Sequence, residues 1–482
     1  MTDLRAYDYD LVCIGSGPAG QRGAVQAAKL GKRVALVERR QGLGGMCLET
    51  GTIPSKTFRE AVVRLTALAE DAAARDAASE SGGAARHSPA GAVSPARRGT
   101  RPLVRRIDDV VAREGQVIAN QMHRNGVAVL CGDAAFVDPH TLRLVNEHGG
   151  REITAARVLI ATGTTAAPAR GVTPDGDVII TSDEIIRLDR LPTSLCVIGA
   201  GVIGIEYASM FATLGVAVTV IDRRERPLEF LDAEIVDELI HQLRDRKVQF
   251  RLNEGVESAV VCAEAPRRAT IILESGKRVV SEMVLVSTGR VGATAALELQ
   301  RAGLATDDRG RLAVDASFRT SVPHIFAAGD VIGHPSLAAT SSEQGRLAAC
   351  HALGAPAVAM PSHFPIGIYA VPEISMVGET EEALTKRRVP YEVGVARYRE
   401  IARGQILGDD SGFFKMLFHR DDKSLLGVHI IGTGATELLH IGQAVLALGG
   451  GLDYFLTTVF NYPTLAECYK VAALNAANKM AA

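Results

Sequence analysis

Tyr9–Gly20, YDLVCIGSGPAG, runs from a short apolar, β-branched stretch directly into a G-x-G-x-x-G spacing that opens a helical pattern. Ser194–Glu206, SLCVIGAGVIGIE, repeats the same arrangement. In each copy a second apolar run ends on an acid at the same distance, Glu38 in VALVERR and Asp222 in VTVIDRR. One such glycine spacing is weak evidence for a nucleotide site; two copies with matching acids predict a pair of Rossmann-type units. In the first, Gly15 makes the turn, Gly17 lets the backbone approach a pyrophosphate and Gly20 permits close helix–sheet packing, while Glu38 accepts from ribose hydroxyls. Gly199, Gly201, Gly204 and Asp222 take the same parts in the second.

Working outward, 482 residues with 47% hydrophobic content are enough for about three cored domains. From about Pro361 the pattern changes to strands alternating with helices, YEVGVARY, FKMLFHR and LLGVHIIG, then ELLHIGQAVLAL, which predicts a C-terminal α+β domain. The helical run around His440 to Leu448 fits either an interface or an internal core. The expected class is therefore α/β, two Rossmann-like domains plus a C-terminal α+β domain. The limits are 1–165 for the first part of the first dinucleotide domain, 166–290 for the second, 291–358 for the return to the first and 359–482 for the last.

Ala72–Arg106 is rich in Ala, Gly, Ser, Pro and Arg, a composition that cannot bury enough surface to order itself, and it reads as a surface excursion between two helices. The 53 basic residues balance 55 acidic ones without a long single-sign run, so no nucleic acid or anionic lipid partner is expected. The apolar stretch from Ser194 to Ile221 carries Glu206 and the glycine spacing and reads as buried sheet and helix rather than a membrane span. The N-terminal residues do not resemble a secretory signal, which makes the cytoplasm the expected location. Seven cysteines without C-x-x-C or Cys/His clustering predict neither a disulfide framework nor a metal site.

Further motifs carry a family resemblance. Ala161–Gly163 reads ATG, Ser287–Arg290 reads STGR, Ala327–Asp330 reads AAGD, Gly44–Lys56 reads GGMCLETGTIPSK, and Tyr462–Thr464 reads YPT. With the two glycine turns, they make nearly the whole chain similar to the pyridine nucleotide-disulfide oxidoreductases. That resemblance implies FAD in the first unit, with Glu38, Arg39, Gly44, Gly45, Met46, Cys47, Gly163 and Asp330 around it. It implies NAD and NADP as substrates in the second, near Gly289. It places Lys56 near flavin N5, paired with Glu206 where hydride crosses between nicotinamide and flavin, and gives the C-terminal domain a dimerising role, so that a homodimer or larger homo-oligomer is expected. Asp222 is followed at once by Arg223 and Arg224. An acid suits the 2'-hydroxyl of NAD and guanidinium groups suit the 2'-phosphate of NADP, so the turn is either a site for both or a solvated turn with incidental arginines.

Two departures decide which reaction the resemblance implies. Position 52, where the second redox cysteine of the family stands, is Thr52, and a disulfide needs two sulfurs within bonding reach. Tyr462 stands where the family has the histidine that manages the dithiol's protons; a phenol titrates near ~10 against ~6.5 for imidazole. Both losses remove parts needed only for dithiol exchange. The remaining parts imply hydride transfer from NADPH through FAD to NAD+, reversibly, with Lys56, Glu206 and Cys47 as catalytic candidates. Cys47 is then a polarisable neighbour of the flavin or merely packs there. A reductase of quinones or other small acceptors on the same scaffold, and a non-catalytic flavoprotein, are the rival readings.

Overall fold

The computed structural model describes residues 6–80, 101–262 and 266–481. A five-stranded parallel sheet is built in the order Ile325–Ala327, Val158–Ile160, Leu11–Ile14, Val34–Glu38, Ala128–Cys131. Every residue of Leu11–Ile14 and Val34–Glu38 is buried, as expected of central parallel strands covered on both faces. Helix Pro18–Lys29 begins with proline in its first turn and packs on helix Ala338–Leu353, which the chain supplies only after a long excursion. The two approach closely because their contact is glycine: a Cβ on Gly345 would lie 1.9 Å from the Ala19 carbonyl oxygen.

A second parallel sheet has the order Gln249–Leu252, Ala217–Asp222, Ser194–Ile198, Met283–Val286, Ile179–Thr181. The stretch from Ser194 to Ile221 is therefore strand, helix Val202–Thr213 and strand, all largely buried within this unit. Among the described residues no helix is long and apolar enough to cross a membrane. Each sheet carries a three-stranded antiparallel partner, Asp133–Asp138, Thr141–Asn146 and Gly149–Thr154 for the first, Val256–Cys262, Arg268–Leu273 and Arg278–Ser281 for the second. The antiparallel pair of Thr164–Ala166 with Arg290–Gly292 joins the strands by which the chain leaves the first unit and returns to it.

The C-terminal unit is a five-stranded antiparallel sheet, Ile366–Ile368, Ile374–Gly378, Leu425–Ile431, Phe413–His419, Tyr391–Arg397, covered by helices Ala435–Ala447 and Glu467–Ala481. Leu438, Leu439, Val445 and Leu446 pack with Phe414, Phe455 and Tyr469, so the helical run around His440 contributes to an internal core, while Leu448 at its end is exposed. The Ala72–Arg106 excursion is narrower than its composition suggests. Helix Thr52–Glu80 runs through the alanine-rich part and helix Arg101–Arg124 starts before Arg106. Alanine is the best helix former, and it extends a helix already anchored by Phe58, Ala61 and Val62 in the core. Residues 81–100 lie outside the described residues.

Candidate functional site

The two glycine turns superimpose in their physics, position by position. Gly15 has φ +102° and a Cβ there would meet the Ala161 carbonyl oxygen at 2.4 Å; Gly199 has φ +108° and would meet the Ser287 carbonyl oxygen at 2.4 Å. A Cβ on Gly20 would lie 1.8 Å from the Gly15 oxygen, and one on Gly204 1.9 Å from the Gly199 oxygen. Gly17 and Gly201 face open space, with no atom within 4 Å of a Cβ position. Turn, approach and packing thus fall to different glycines, as the spacing predicts. Gly163 and Gly289, which close the facing strands, also have positive φ and open surroundings.

Beside the first turn lies an open cleft lined by Gly15, Gly17, Glu38, Arg39, Met46 and Thr162. Glu38 is buried; its Oε2 accepts from the Ser16 backbone N–H at 3.0 Å and hydroxyl at 2.6 Å, and its Oε1 from the Arg40 backbone N–H at 3.1 Å. Gly44 and Gly45, both at positive φ, pack on this turn. Gly44 N–H donates to Ser16 Oγ at 2.9 Å, and a Cβ on Gly45 would lie 3.0 Å from Gly17. Arg39 is exposed at the rim, and the neighbouring Arg40 pairs with Glu49. The Thr162 hydroxyl is buried without a partner among the described protein atoms, although it lines the cleft. Asp330 is half-buried, with one long hydrogen bond from Ser341 Oγ at 3.3 Å; burial pushes its carboxyl up, against that bond and the charge of Arg290. An orphaned hydroxyl and an open glycine turn on the cleft, with an under-satisfied carboxylate whose charge is felt at Cys47, fit a bound FAD.

Cys47 lies in the short helix Gly45–Glu49, half-buried beside the Thr52 hydroxyl. Burial raises the thiol and the hydrogen bond with Thr52 opposes it, so Cys47 stays protonated at neutral pH. None of the seven cysteines is bonded to another; Cys13 and Cys350 are buried in their own strand and helix. Lys56 and Glu206 form a tight pair, Lys56 Nζ donating to the two carboxylate oxygens at 2.9 and 2.8 Å. The Glu206 side chain is 4% exposed and that of Lys56 24%. The pair joins helix Thr52–Glu80 to helix Val202–Thr213, which follows the second glycine turn. A third unit completes it: Tyr369 N–H donates to Glu206 Oε1 at 2.8 Å, and Lys56 Nζ stands 5.0 Å from the centre of the Tyr369 ring. Tyr369 was not singled out from the sequence, because no local pattern marks a residue that enters from the C-terminal domain.

At the second site Asp222 repeats Glu38 with one difference. Its Oδ2 accepts from the Ala200 N–H at 2.5 Å, as Glu38 does from Ser16, but Arg224 folds back on it, Nε to Oδ1 at 2.9 Å and Nη2 to Oδ2 at 2.7 Å. Arg223 points the other way and pairs with Glu274. Both arginines of the turn are thus engaged with acids of this chain. Tyr462 is exposed, and Glu467 opens the last helix with one carboxylate oxygen buried.

Residues 9–345 match the pyridine nucleotide-disulphide oxidoreductase family, and residues 364–473 match the dimerisation domain of pyridine nucleotide-disulphide oxidoreductases. A soluble pyridine nucleotide transhydrogenase of Mycobacterium tuberculosis is 51% identical over 478 residues, 98% of each chain. One of Escherichia coli is 41% identical over 480 residues, 98% of this chain and 99% of the other. Among solved structures, LpdA of Mycobacterium tuberculosis superimposes with a TM-score of 0.85 at 26% identity, over 96% of this chain and 99% of its own. The HOCl-induced flavoprotein disulfide reductase RclA of Escherichia coli does so with 0.84 at 27%, over 97% and 99%.

Proposed function

The chain belongs to the pyridine nucleotide-disulphide oxidoreductase family, and on that premise we propose that it is a soluble, FAD-dependent transhydrogenase exchanging hydride between NADPH and NAD+. One observation carries the reading: Cys47 faces a threonine hydroxyl rather than a second sulfur, while the Lys56–Glu206 pair stands fully assembled between the two dinucleotide units. FAD, when bound, supplies the two-electron acceptor and donor. The chain's own residues bind, orient and neutralise. Gly15, Gly17, Gly20, Glu38, Arg39, Gly44, Gly45, Met46, Cys47, Gly163 and Asp330 hold FAD. Gly199, Gly201, Gly204, Asp222, Arg223, Arg224 and Gly289 hold whichever dinucleotide is present. Lys56 keeps a cation at the junction, its ammonium fixed by Glu206 and the Tyr369 ring. NADPH and NAD+ take turns at the second site in a ping-pong sequence.

The proposed domain limits are 1–165, 166–290, 291–358 and 359–482; the ribbon formed by Thr164–Ala166 and Arg290–Gly292 supports the two that bound the second dinucleotide unit. A homodimer through the C-terminal domain and a cytoplasmic location complete the proposal; the match to a dimerisation domain supports the first, and the similarity to soluble transhydrogenases is consistent with the second.

The test is anaerobic. NADPH is expected to bleach the flavin of the purified protein, with uptake of one hydride equivalent per subunit, and NAD+ to restore its absorbance. A flavin that stays reduced under NAD+ but reoxidises with a quinone would replace this reading by that of a quinone reductase. Uptake of two equivalents would reveal a second redox centre. Cys47→Ser is expected to keep transhydrogenation within about tenfold of the parent, since a protonated lone thiol supplies no electrons. Abolition of NAD+-dependent reoxidation in a correctly folded, yellow Cys47→Ser protein would show that the thiol takes part directly.

A further inference from the structure

The adenosine end of the second site holds two acids and two arginines, and neither kind is left free. Asp222 receives four hydrogen bonds, from the Ala200 N–H and from the Arg224 N–H, Nε and Nη2. Its side chain is 7% exposed. Arg223 is held by Glu274, a pair whose side chains are 63% and 48% exposed. Glu274 is not a distant accident of the surface. Its N–H donates to the Gly255 carbonyl at 2.9 Å, and the Glu254 N–H donates to the Asp222 carbonyl at 3.1 Å, so the hairpin carrying Glu274 is tied to the end of the ribose-binding strand. A Cβ on Gly255 would meet Glu274 Oε2 at 2.2 Å and the Arg223 guanidinium carbon at 2.9 Å, so the pair lies directly over this glycine.

The two pairs differ in strength for a physical reason. Breaking the buried, four-bonded Asp222–Arg224 arrangement strands a carboxylate out of water, whereas an exposed ion pair opens at little cost. Arg223 is therefore the guanidinium that a 2'-phosphate can capture, and Glu274 is its competitor. A transhydrogenase that works by alternation at one site must release NADP+ before NAD+ can enter. An uncontested arginine would hold the phosphorylated dinucleotide and stall the exchange.

Resting on the proposed function, we propose that Glu274 is a specificity-determining residue of the second dinucleotide site. By occupying Arg223 it keeps affinity for the 2'-phosphate low enough for NADP(H) and NAD(H) to replace each other.

The experiment measures binding of 2',5'-ADP and of 5'-AMP to the oxidised holoprotein by titration calorimetry. Glu274→Gln is expected to tighten 2',5'-ADP by about three- to tenfold and to leave 5'-AMP unchanged. In the double variant Arg223→Ala/Glu274→Gln the gain disappears. Unchanged 2',5'-ADP affinity in Glu274→Gln overturns the proposal. So does a gain that persists in the double variant, since it would report only the loss of a surface negative charge. Neither fragment carries hydride, so these outcomes stand apart from the anaerobic flavin test. A protein that fails to pass hydride to NAD+ yet shows the fragment shift would lose the functional reading and keep this one. One that passes hydride without the shift would do the reverse.

Discussion

A Glu206→Leu variant is expected to slow reduction of the flavin by NADPH by about a hundredfold, the effect of losing one pre-organised charged contact at a reacting centre. It is also expected to lose about 3 kcal/mol of folding stability, because removing one partner of a buried pair leaves the other uncompensated. The structure shows why both follow. Glu206 holds the Lys56 ammonium with both oxygens and takes the Tyr369 N–H on one of them, all at a junction of three domains. Without the carboxylate the ammonium keeps, among the described residues, only the tyrosine ring, and the Tyr369 amide loses its acceptor among them. Glu206→Gln keeps an acceptor for Tyr369 but loses the charge and one of the two acceptors for the Lys56 ammonium, so its reduction rate should lie between those of the parent and the leucine variant. Rapid mixing with NADPH, followed in the flavin band, gives the rate, and urea unfolding gives the stability. A leucine variant that reduces as fast as the parent would remove the pair from the mechanism.

What the sequence disclosed and what it hid divide along sequence distance. The glycine turns and their acids are local, and each glycine's reason for being glycine is written in the next few residues and in one facing strand. The match between the two copies therefore appears in the chain as plainly as in space. The antiparallel sheet at Asp133–Thr154 was also legible in principle, since Phe136, Leu142, Leu144 and Ile153 alternate with half-buried or exposed residues, but short hairpins of this kind leave a weaker trace than a nucleotide turn. The pairing of Arg223 and Arg224 was not legible. Two adjacent arginines point in different directions because one acid precedes them by a residue and the other returns 51 residues after Arg223 on a separate hairpin. Tyr369 arrives at Glu206 across 163 residues, and nothing near it in the sequence announces the contact. The alanine-rich start of the 72–106 excursion misled for the opposite reason: composition argued against order, while helix propensity extended an anchored helix through it.

The buried Lys415 makes the second large prediction, and it concerns how the dinucleotide unit is held to the C-terminal sheet. Its side chain is 0% exposed, and its ammonium donates to Asp232 Oδ1 at 2.9 Å, to Glu234 Oε2 at 2.7 Å and to Glu381. Asp232 also caps helix Ala233–Asp245 through the Glu234 N–H, and His429 is buried in the same region with its Nε2 2.8 Å from the Glu379 carbonyl oxygen. Burial alone would raise the Asp232 carboxyl, but His429, Lys415 and the Glu381 N–H bring it below its ordinary value. A carboxyl depressed in the folded state stabilises above its unfolded pKa, near ~3.9, and loses that contribution as pH falls through the folded value. Lys415→Met removes the cation and leaves the acids facing one another, which is expected to cost about 3–5 kcal/mol at pH 7.5. In the variant the carboxyls rise above their unfolded values, so protonation now relieves the folded state. His429, lowered in the parent by burial and in part by Lys415, recovers some of its basicity and moves the difference the same way. The penalty should therefore shrink as pH falls from about 7.5 toward 5, between the ordinary ranges of imidazole and carboxylate. Urea unfolding of both proteins at the two pH values measures it. An equal penalty at both would mean that Lys415 holds the domains by packing rather than by charge.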